Sequence, residues 1–339
     1  MRGYLIRRLL QAVVVVIGVV IITFGVARLV PGDPAVTYAG PRASKAELEQ
    51  VRRNLHLDAP WPQQLLDYGE GVATGDWGTA LHTRRPVLDD LRTAFPASVE
   101  LVAWAMLLAA AVGVPAGMLA AQRQGSAADT LIRVLSMASV SMPVFWLALI
   151  LQNVFFQRLG ILPVAGRYDA GLDYTHPLTV YTHLVTVDAL FTGNWAVLGS
   201  ALSHLVLPAL AVGAYPAGAI AQMTRASLIE EAQEDHVRMA RALGFGDRAI
   251  YTRLAMRPAL NPVVALAALV FAYSLANTFL VEAIFNWPGL GAYSAAAIGS
   301  LDTPAILGVT LLVSLSYVLL NLVVDLVQAA IDPRVVRTR

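Results

Sequence analysis

This sequence predicts an all-α, polytopic helical membrane protein, and three observations carry that expectation. Hydrophobic residues make up 57% of the 339-residue chain and charged residues only 14%. With a mean hydropathy of +0.62, the composition is far from the mix of a soluble domain. The apolar residues are gathered into runs of about twenty, the length that spans roughly 30 Å of hydrocarbon. The short alternating segments of a membrane β-barrel are absent from the pattern. The chain has no cysteine, which excludes disulfides, cysteine-bound zinc, iron–sulfur ligation and thiol nucleophiles.

Arg2, Arg7 and Arg8 precede the first apolar run, Leu9–Val30. That run is too long for a signal peptide and no small-x-small site closes it, so residues 1–30 read as a short N-terminus and a retained first span. Pro31-Gly32-Asp33-Pro34 then stops the helix, because each proline disfavours helix in the residue before it. Residues 31–98 form the first polar region, read as a small structured cap. Within it Ser44 and Glu47 have capping-box spacing, leading a helix with Leu48, Val51 and Leu55 on one face. Ala59-Pro60-Trp61-Pro62 breaks that helix, and Gln63–Val72 reads as another. Gly75-Asp76-Trp77-Gly78 is a turn whose tryptophan suits a membrane interface. Pro86–Phe95 reads as an amphipathic lead-in to the next span.

Residues 99–339 carry the remaining five spans. Val99–Ala121 holds Gly113-x-x-x-Gly117 around Pro115, a spacing that either permits close helix contact or is simply tolerated in a membrane helix. Val134–Phe156 is interrupted by Pro143 in Ser139-Val140-Ser141-Met142-Pro143, where proline bends the axis and serines can satisfy the freed carbonyl. A second polar connection, 157–200, leads to Leu202–Met223 with Pro208 and Pro216. Val263–Ile284 contains Asn277, and Asn286–Gly291 forms a tight loop. Ile306–Ala330 is the sixth span, followed by a basic tail. Glu282 and Asp325 fall near span ends, within reach of water.

Between the fourth and fifth spans lies a basic segment, 224–262, with Arg225, Arg238, Arg241, Arg248, Arg253 and Arg257 in or beside it. Ser227 and Glu230 again have capping-box spacing, and Ile229, Ala232, His236, Met239, Ala240 and Leu243 recur at helical intervals. Gly244 is placed for a left-handed helix stop. Asp247 is placed to cap a second short helix, with Pro258 marking its end. The segment is expected to be helix, glycine elbow, helix.

Six spans put both termini on one side. Three arginines at the N-terminus, two in 122–133, six in the basic segment and three in the tail stand against two in 157–200 and none in 282–304. Seven Lys or Arg in 31–98 weigh less, because that region is long and mixed with acids. The positive-inside rule therefore puts the basic segment and both termini in the cytoplasm. The same arginines would also serve merely to obey that rule.

Taken in order, these landmarks resemble the B-type permease subunit of bacterial dipeptide/oligopeptide ATP-binding-cassette importers. The family's cytoplasmic loop has an E-A-A-x-x-x-G pattern followed by I-x-L-P. It is matched here by Arg238, Met239, Ala240 and Gly244, then Leu254, Met256 and Arg257. Arg238 stands where the general pattern has glutamate and Arg257 where it has proline. The R-x-A-R-A-x-G version resembles the peptide group. Arg7-Arg8, Pro31–Pro34, Gly75–Gly78, Ser141-Met142-Pro143, Leu162-Pro163, Met223-Thr224-Arg225, Arg257–Pro262 and Trp287–Gly291 extend the likeness along nearly the whole chain.

The resemblance implies a type I ABC importer permease fold in the bacterial cytoplasmic membrane. Its partners would be a second, homologous C-type permease subunit, two cytoplasmic ABC ATPase subunits and an extracytoplasmic substrate-binding protein. No cofactor is expected in this chain; ATP and Mg would act on the ATPases. Arg238, Met239, Ala240, Arg241, Gly244 and Arg248 would contact an ATPase. The pathway-lining candidates are Ser139, Ser141, Met142, Phe145, Asn277 and Glu282, since polar groups within spans face the interior. Nickel chelates, glutathione or oligosaccharides are alternative cargoes. An intramembrane enzyme or a secondary transporter is the alternative of another class. The six histidines, His56, His82, His176, His183, His204 and His236, lack metal-ligand spacing and read as surface or interface residues. H-E-x-x-H, G-x-S-x-G and P-loop motifs are absent, and arginines at membrane edges do not point to nucleic acid.

Overall fold

The computed structural model describes residues 2–29, 35–36, 40, 43–54 and 58–331. The proline stop at 31–34, Leu55, His56, the side chain of Asp325 and the tail from residue 332 lie outside the described residues. Among the described residues the regular elements are all helices, with one isolated antiparallel bridge between Thr79 and Pro86. They are α1 (Arg2–Leu29), α2 (Lys45–Asn54), α3 (Trp61–Thr74), α4 (Val87–Gln122), α5 (Ala127–Ser141) and α6 (Val144–Leu151, continued by a π-helical stretch Gln152–Arg158). Then come α7 (Val185–Phe191), α8 (Trp195–Glu231), α9 (Asp235–Ala242), α10 (Met256–Asn277), α11 (Phe279–Ile284), α12 (Leu290–Gly299) and α13 (Thr303–Ile331). Shorter helical turns connect some of these.

Five of the expected spans lie in helices long and apolar enough to cross a membrane, namely α1, α4, α8, α10 and α13. The third span is a broken one, the pair α5 and α6 meeting at a 104° bend. The break is sharper than a proline kink because Met142, the residue before Pro143, leaves helical geometry altogether (φ −79°, ψ 128°), as steric conflict with the proline ring requires. By contrast α8 runs through Pro208 and Pro216 without a break. The fifth span ends earlier than expected, α10 giving way to α11 at Thr278. The lead-in at 86–95 and the second span are one 36-residue helix, α4.

The chain forms two compact units. The first comprises residues 1–96 and 289–322. Its capping box is present as expected: the Ser44 N–H donates to Glu47 Oε2 at 2.7 Å, and the Glu47 N–H donates to Ser44 Oγ at 3.3 Å. The Ser44 backbone donor, followed by its hydroxyl, holds the Glu47 carboxyl below its ordinary pKa. The carboxylate half of the cap is therefore fully in place at and above the usual carboxylate range and is lost as pH falls below that range, through the lowered pKa. α3 begins at Pro60 and closes on Gly75 in the left-handed conformation (φ 86°). Trp77 is tied into the packing of this unit. It packs on a core of Val87, Leu91, Ala94, Leu290, Ala297 and Ala305, and its Nε1–H donates to the Val72 carbonyl. Asp302, wholly buried, caps α13 by accepting the Ala305 N–H and also accepts the Leu81 and His82 N–H groups.

The second unit comprises residues 97–288 and 323–339, with α8 as its most enclosed element. Helix approach there is limited by backbone, not side chains. A Cβ on Gly113 would lie 2.7 Å from the Ala217 carbonyl oxygen, and one on Gly117 would collide with the Ala221 carbonyl and lie 2.7 Å from Thr224 Cβ. Gly213 and Gly218 of α8 face the Ala105 and Ser136 carbonyls at 2.8 and 2.7 Å in the same sense. The Gly-x-x-x-Gly spacing is thus a contact seam. Gly117→Ala is expected to lower the thermal transition of the detergent-purified protein, overpacking of this kind costing ~1–3 kcal/mol. Gly18→Ala, which meets only open space, is expected to leave the transition unchanged or raise it; equal transitions for the two variants would show that the seam imposes no constraint.

Candidate functional site

The basic segment departs from its expected start. Ser227 and Glu230 do not cap a new helix, because α8 continues through them to Glu231. Nothing between Gly218 and Glu231 breaks a helix, and serine and glutamate three apart are equally at home inside one. The chain then turns at Ala232–Glu234 and α9 begins at Asp235. Its end matches the expected elbow. Gly244 has φ 85°, its N–H donates to the Arg241 carbonyl at 3.0 Å and the Phe245 N–H donates to the Ala240 carbonyl at 3.1 Å. This pair of bonds is the Schellman closure, which needs a left-handed residue. Gly246 occupies the cap position of the next turn, and Asp247 stands in its first turn, where a carboxylate complements the helix dipole. Pro258 does not end that turn. It lies in the first turn of α10, where a missing N–H costs nothing.

The elbow has an inner and an outer face. Val237 turns inward onto a cluster with Leu228, Ile250, Ala255, Ala259 and Ala121, all buried, and Ala240 is buried as well. Arg238, Met239, Arg241, Leu243, Phe245 and Arg248 face outward. Of the six residues expected to meet a partner, Ala240 is the exception. It is turned away from solvent and only 8% exposed. Exposed pairs, Arg238 with Asp235 at 3.6 Å and His236 with Glu231 at 3.4 Å, contribute roughly 0–1 kcal/mol each, so they do not consume the arginines' capacity to bind. Arg225 is not on this face at all. Its Nε and Nη2 reach Asp129 at 2.6 and 2.8 Å.

The candidate lining residues fall into two groups. Ser139, Ser141, Met142 and Phe145 flank the bend at Pro143, partly or fully exposed. The Ser139 hydroxyl donates to the Ser136 carbonyl at 2.9 Å. Asn277, exposed at the end of α10, donates to the Tyr273 carbonyl at 2.8 Å. Glu282 is different, because it does not reach water: it is fully buried, accepting from Ser98 Oγ at 2.6 Å and Thr278 Oγ1 at 2.9 Å. The Trp287 N–H donates to the Glu282 carbonyl at 2.8 Å, and the indole N–H donates to the Ala97 carbonyl at 2.8 Å. The helix break at Thr278 is what folds Glu282 inward.

One polar network had no sequence signal. Arg167 Nη2 donates to Glu100 at 2.5 Å and to the His183 carbonyl at 2.8 Å, while Glu100 accepts the backbone N–H and hydroxyl of Thr186 at 2.7 and 2.6 Å. Partners 67 residues apart leave no trace in local spacing. Beside it Tyr168 donates to Asp173 at 2.6 Å, and burial, then that carboxylate, push its hydroxyl pKa up to about 12. Among the histidines, His204 is buried within the chain, with Nδ1 2.8 Å from the Ser200 carbonyl, and not a surface residue.

Two family models match the chain. The one described as "Binding-protein-dependent transport system inner membrane component" covers residues 113–337, and its N-terminal companion covers residues 1–102. The chain is 42% identical over 325 residues to a probable D,D-dipeptide transport system permease protein of Escherichia coli (strain K12), covering 96% of this chain and 95% of that one. It is 38% identical over 335 residues to a dipeptide transport system permease protein of Alkalihalophilus pseudofirmus, covering 99% of each. A glutathione transport system permease protein of Escherichia coli (strain K12) is 33% identical, again over 99% of each chain.

Exchanging Glu282 for alanine removes the acceptor shared by two buried hydroxyls, at ~1–3 kcal/mol for each group it strands. Glu282→Ala is therefore expected to lower the thermal transition more than Glu282→Gln, which keeps an acceptor. The reverse order in a melting series would show that the carboxylate is not a structural acceptor.

Proposed function

The chain belongs to the family of binding-protein-dependent transport system inner membrane components, and from that premise we propose that it is the B-type permease subunit of an ATP-driven importer of dipeptides or short oligopeptides. The observation that carries this reading is likeness along nearly the whole chain to permeases named for dipeptide transport. The permease named for glutathione, itself a short peptide, is less similar. Five apolar helices and one broken span fit half of a translocation pathway. The other half would come from a homologous C-type subunit, with an extracytoplasmic binding protein delivering the peptide. Residues 1–30, 31–98 and 99–339 would be the first span with its N-terminus, the extracytoplasmic region and the core permease.

Both termini and the segment 224–262 are assigned to the cytoplasm on the distribution of arginine. The elbow at Gly244 then presents Arg238, Met239, Arg241 and Arg248 to an ATPase, with Gly244 fixing the turn and Ala240 turned away from solvent. Guanidinium groups there make charge-assisted bonds to carboxylates or carbonyls of the partner. Closure of two ATPases around ATP and Mg would move the paired elbows and rotate packed helices between two arrangements. This chain would be non-catalytic, with hydrolysis on the ATPases. The bend at Pro143, with Ser139, Ser141, Met142 and Phe145, and Asn277 are proposed to line the pathway in one of those arrangements.

The test is reconstitution in liposomes with the second permease, both ATPases and the binding protein. ATP-dependent dipeptide uptake is expected. Arg238→Glu with Arg241→Glu is expected to reduce ATPase co-purification at least about ten-fold, the range for losing interfacial charge contacts, and the difference from the parent is expected to shrink at high salt, which screens these charges. Co-purification unchanged by the double exchange would remove the elbow from the interface, and uptake independent of ATPases would overturn the importer reading.

A further inference from the structure

The pair Arg225–Asp129 stands apart from the exposed arginines around it. It joins α8 to α5 by two parallel bonds, Nε to Oδ1 at 2.6 Å and Nη2 to Oδ2 at 2.8 Å, the fork geometry that only arginine provides. The Asp129 side chain is 2% exposed and that of Arg225 21%. Asp129 has a second task. Its Oδ2 also accepts the Gly125 N–H at 3.0 Å, while its own N–H donates to the capping Ser126 hydroxyl at 3.3 Å. One carboxylate thus holds the turn between α4 and α5 and the guanidinium of α8 together.

A buried ion pair is weak stabilisation, since apolar residues of the same volume commonly do as well; its best-attested use is to fix register. Here the register fixed is that of two helices with separate destinations. Six residues after Arg225, roughly 9 Å along the axis, α8 ends at Glu231 and the chain turns into the Gly244 elbow. In the other direction α5 runs twelve residues from Asp129 to Ser141, roughly 18 Å, and ends at the 104° bend. Between these points Gly218 of α8 lies against the Ser136 carbonyl of α5 with no room for a Cβ, so the two helices are in backbone contact as well as bridged.

We infer that Asp129 and Arg225 are a positioning pair that carries displacement of the elbow at Gly244 into α5, and so to the bend at Pro143. This rests on the importer reading above and adds to it the route by which the stroke reaches the broken span.

The experiment uses the full reconstituted complex and reads four quantities for each variant: yield and thermal transition of the assembled complex, peptide uptake, and ATP hydrolysed per peptide imported. In Asp129→Asn the complex is expected to assemble and hydrolyse ATP within about two-fold of the parent, while ATP consumed per peptide rises at least about ten-fold, within the usual range of coupling between sites. Asp129→Glu, which keeps the charge, is expected to recover most of the ratio. Should Asp129→Asn fail to assemble, Arg225→Lys, which keeps a charge but loses the fork, decides by the same ratio. An unchanged ratio in an assembled variant overturns the inference. So does a loss of uptake and hydrolysis in equal proportion, which marks a purely structural pair. If the parent complex shows no ATP-dependent uptake, the importer reading itself fails and this route falls with it.

Discussion

Apolar side chains gain little by exchanging lipid for one another, so helices in a bilayer associate where their backbones can approach closely. In the second unit that approach is made by Gly113 and Gly117 of α4 and by Gly213 and Gly218 of α8, each facing a carbonyl with no space for a side chain. Much else follows from it. A helix enclosed this tightly tolerates Pro208 and Pro216 in its interior, both buried, because neighbours and local adjustment offset the lost backbone bonds. The same enclosure lets α8 run 37 residues and deliver the chain to the elbow as a stiff rod.

Three buried carboxylates of this unit have fixed partners. Glu100 meets Arg167, Asp129 meets Arg225, and Glu282 takes two hydroxyls. Leaving either member of such a pair alone would strand a buried charge at several kcal/mol. These groups are therefore constraints on arrangement before they are sources of stability. Glu100 lies thirteen residues into the long helix α4, whereas Asp129 stands in the first turn of α5, where helix ends leave backbone donors to accept. Asp129 takes up the Gly125 N–H in this way.

The parts legible in the sequence were those written in local spacing. Six apolar runs, the capping box at Ser44 and Glu47, the glycine seam of α4 and the left-handed stop at Gly244 each follow from residues within a few positions of one another. The same local logic misplaced the start of α9, since the spacing of Ser227 and Glu230 does not distinguish a cap from a helix interior; only the absence of a breaker does. It also left Glu282 near water, because the break at Thr278 carries no proline or glycine to announce it. Pairs such as Arg167 with Glu100, and Arg225 with Asp129, depend on which helices are neighbours. One-dimensional spacing does not contain that.

The elbow's outer face distinguishes two explanations of its arginines. If they served only to hold this side of the chain in the cytoplasm, the accompanying apolar residues would be free to turn inward, as the buried Val237 and Ala240 do. Met239, Leu243 and Phe245 do not, remaining 65%, 68% and 52% exposed among Arg238, Arg241 and Arg248. The Gly244 closure makes this arrangement rigid, fixing Leu243 and Phe245 on either side of a left-handed residue. Large apolar side chains held out by a stiff turn and rimmed by guanidinium groups have the composition of a protein interface, where aromatic residues, methionine and arginine are enriched. Topological charge accounts for the arginines alone. A partner seated on the elbow accounts for the arginines, the apolar residues and the glycine that holds them in place.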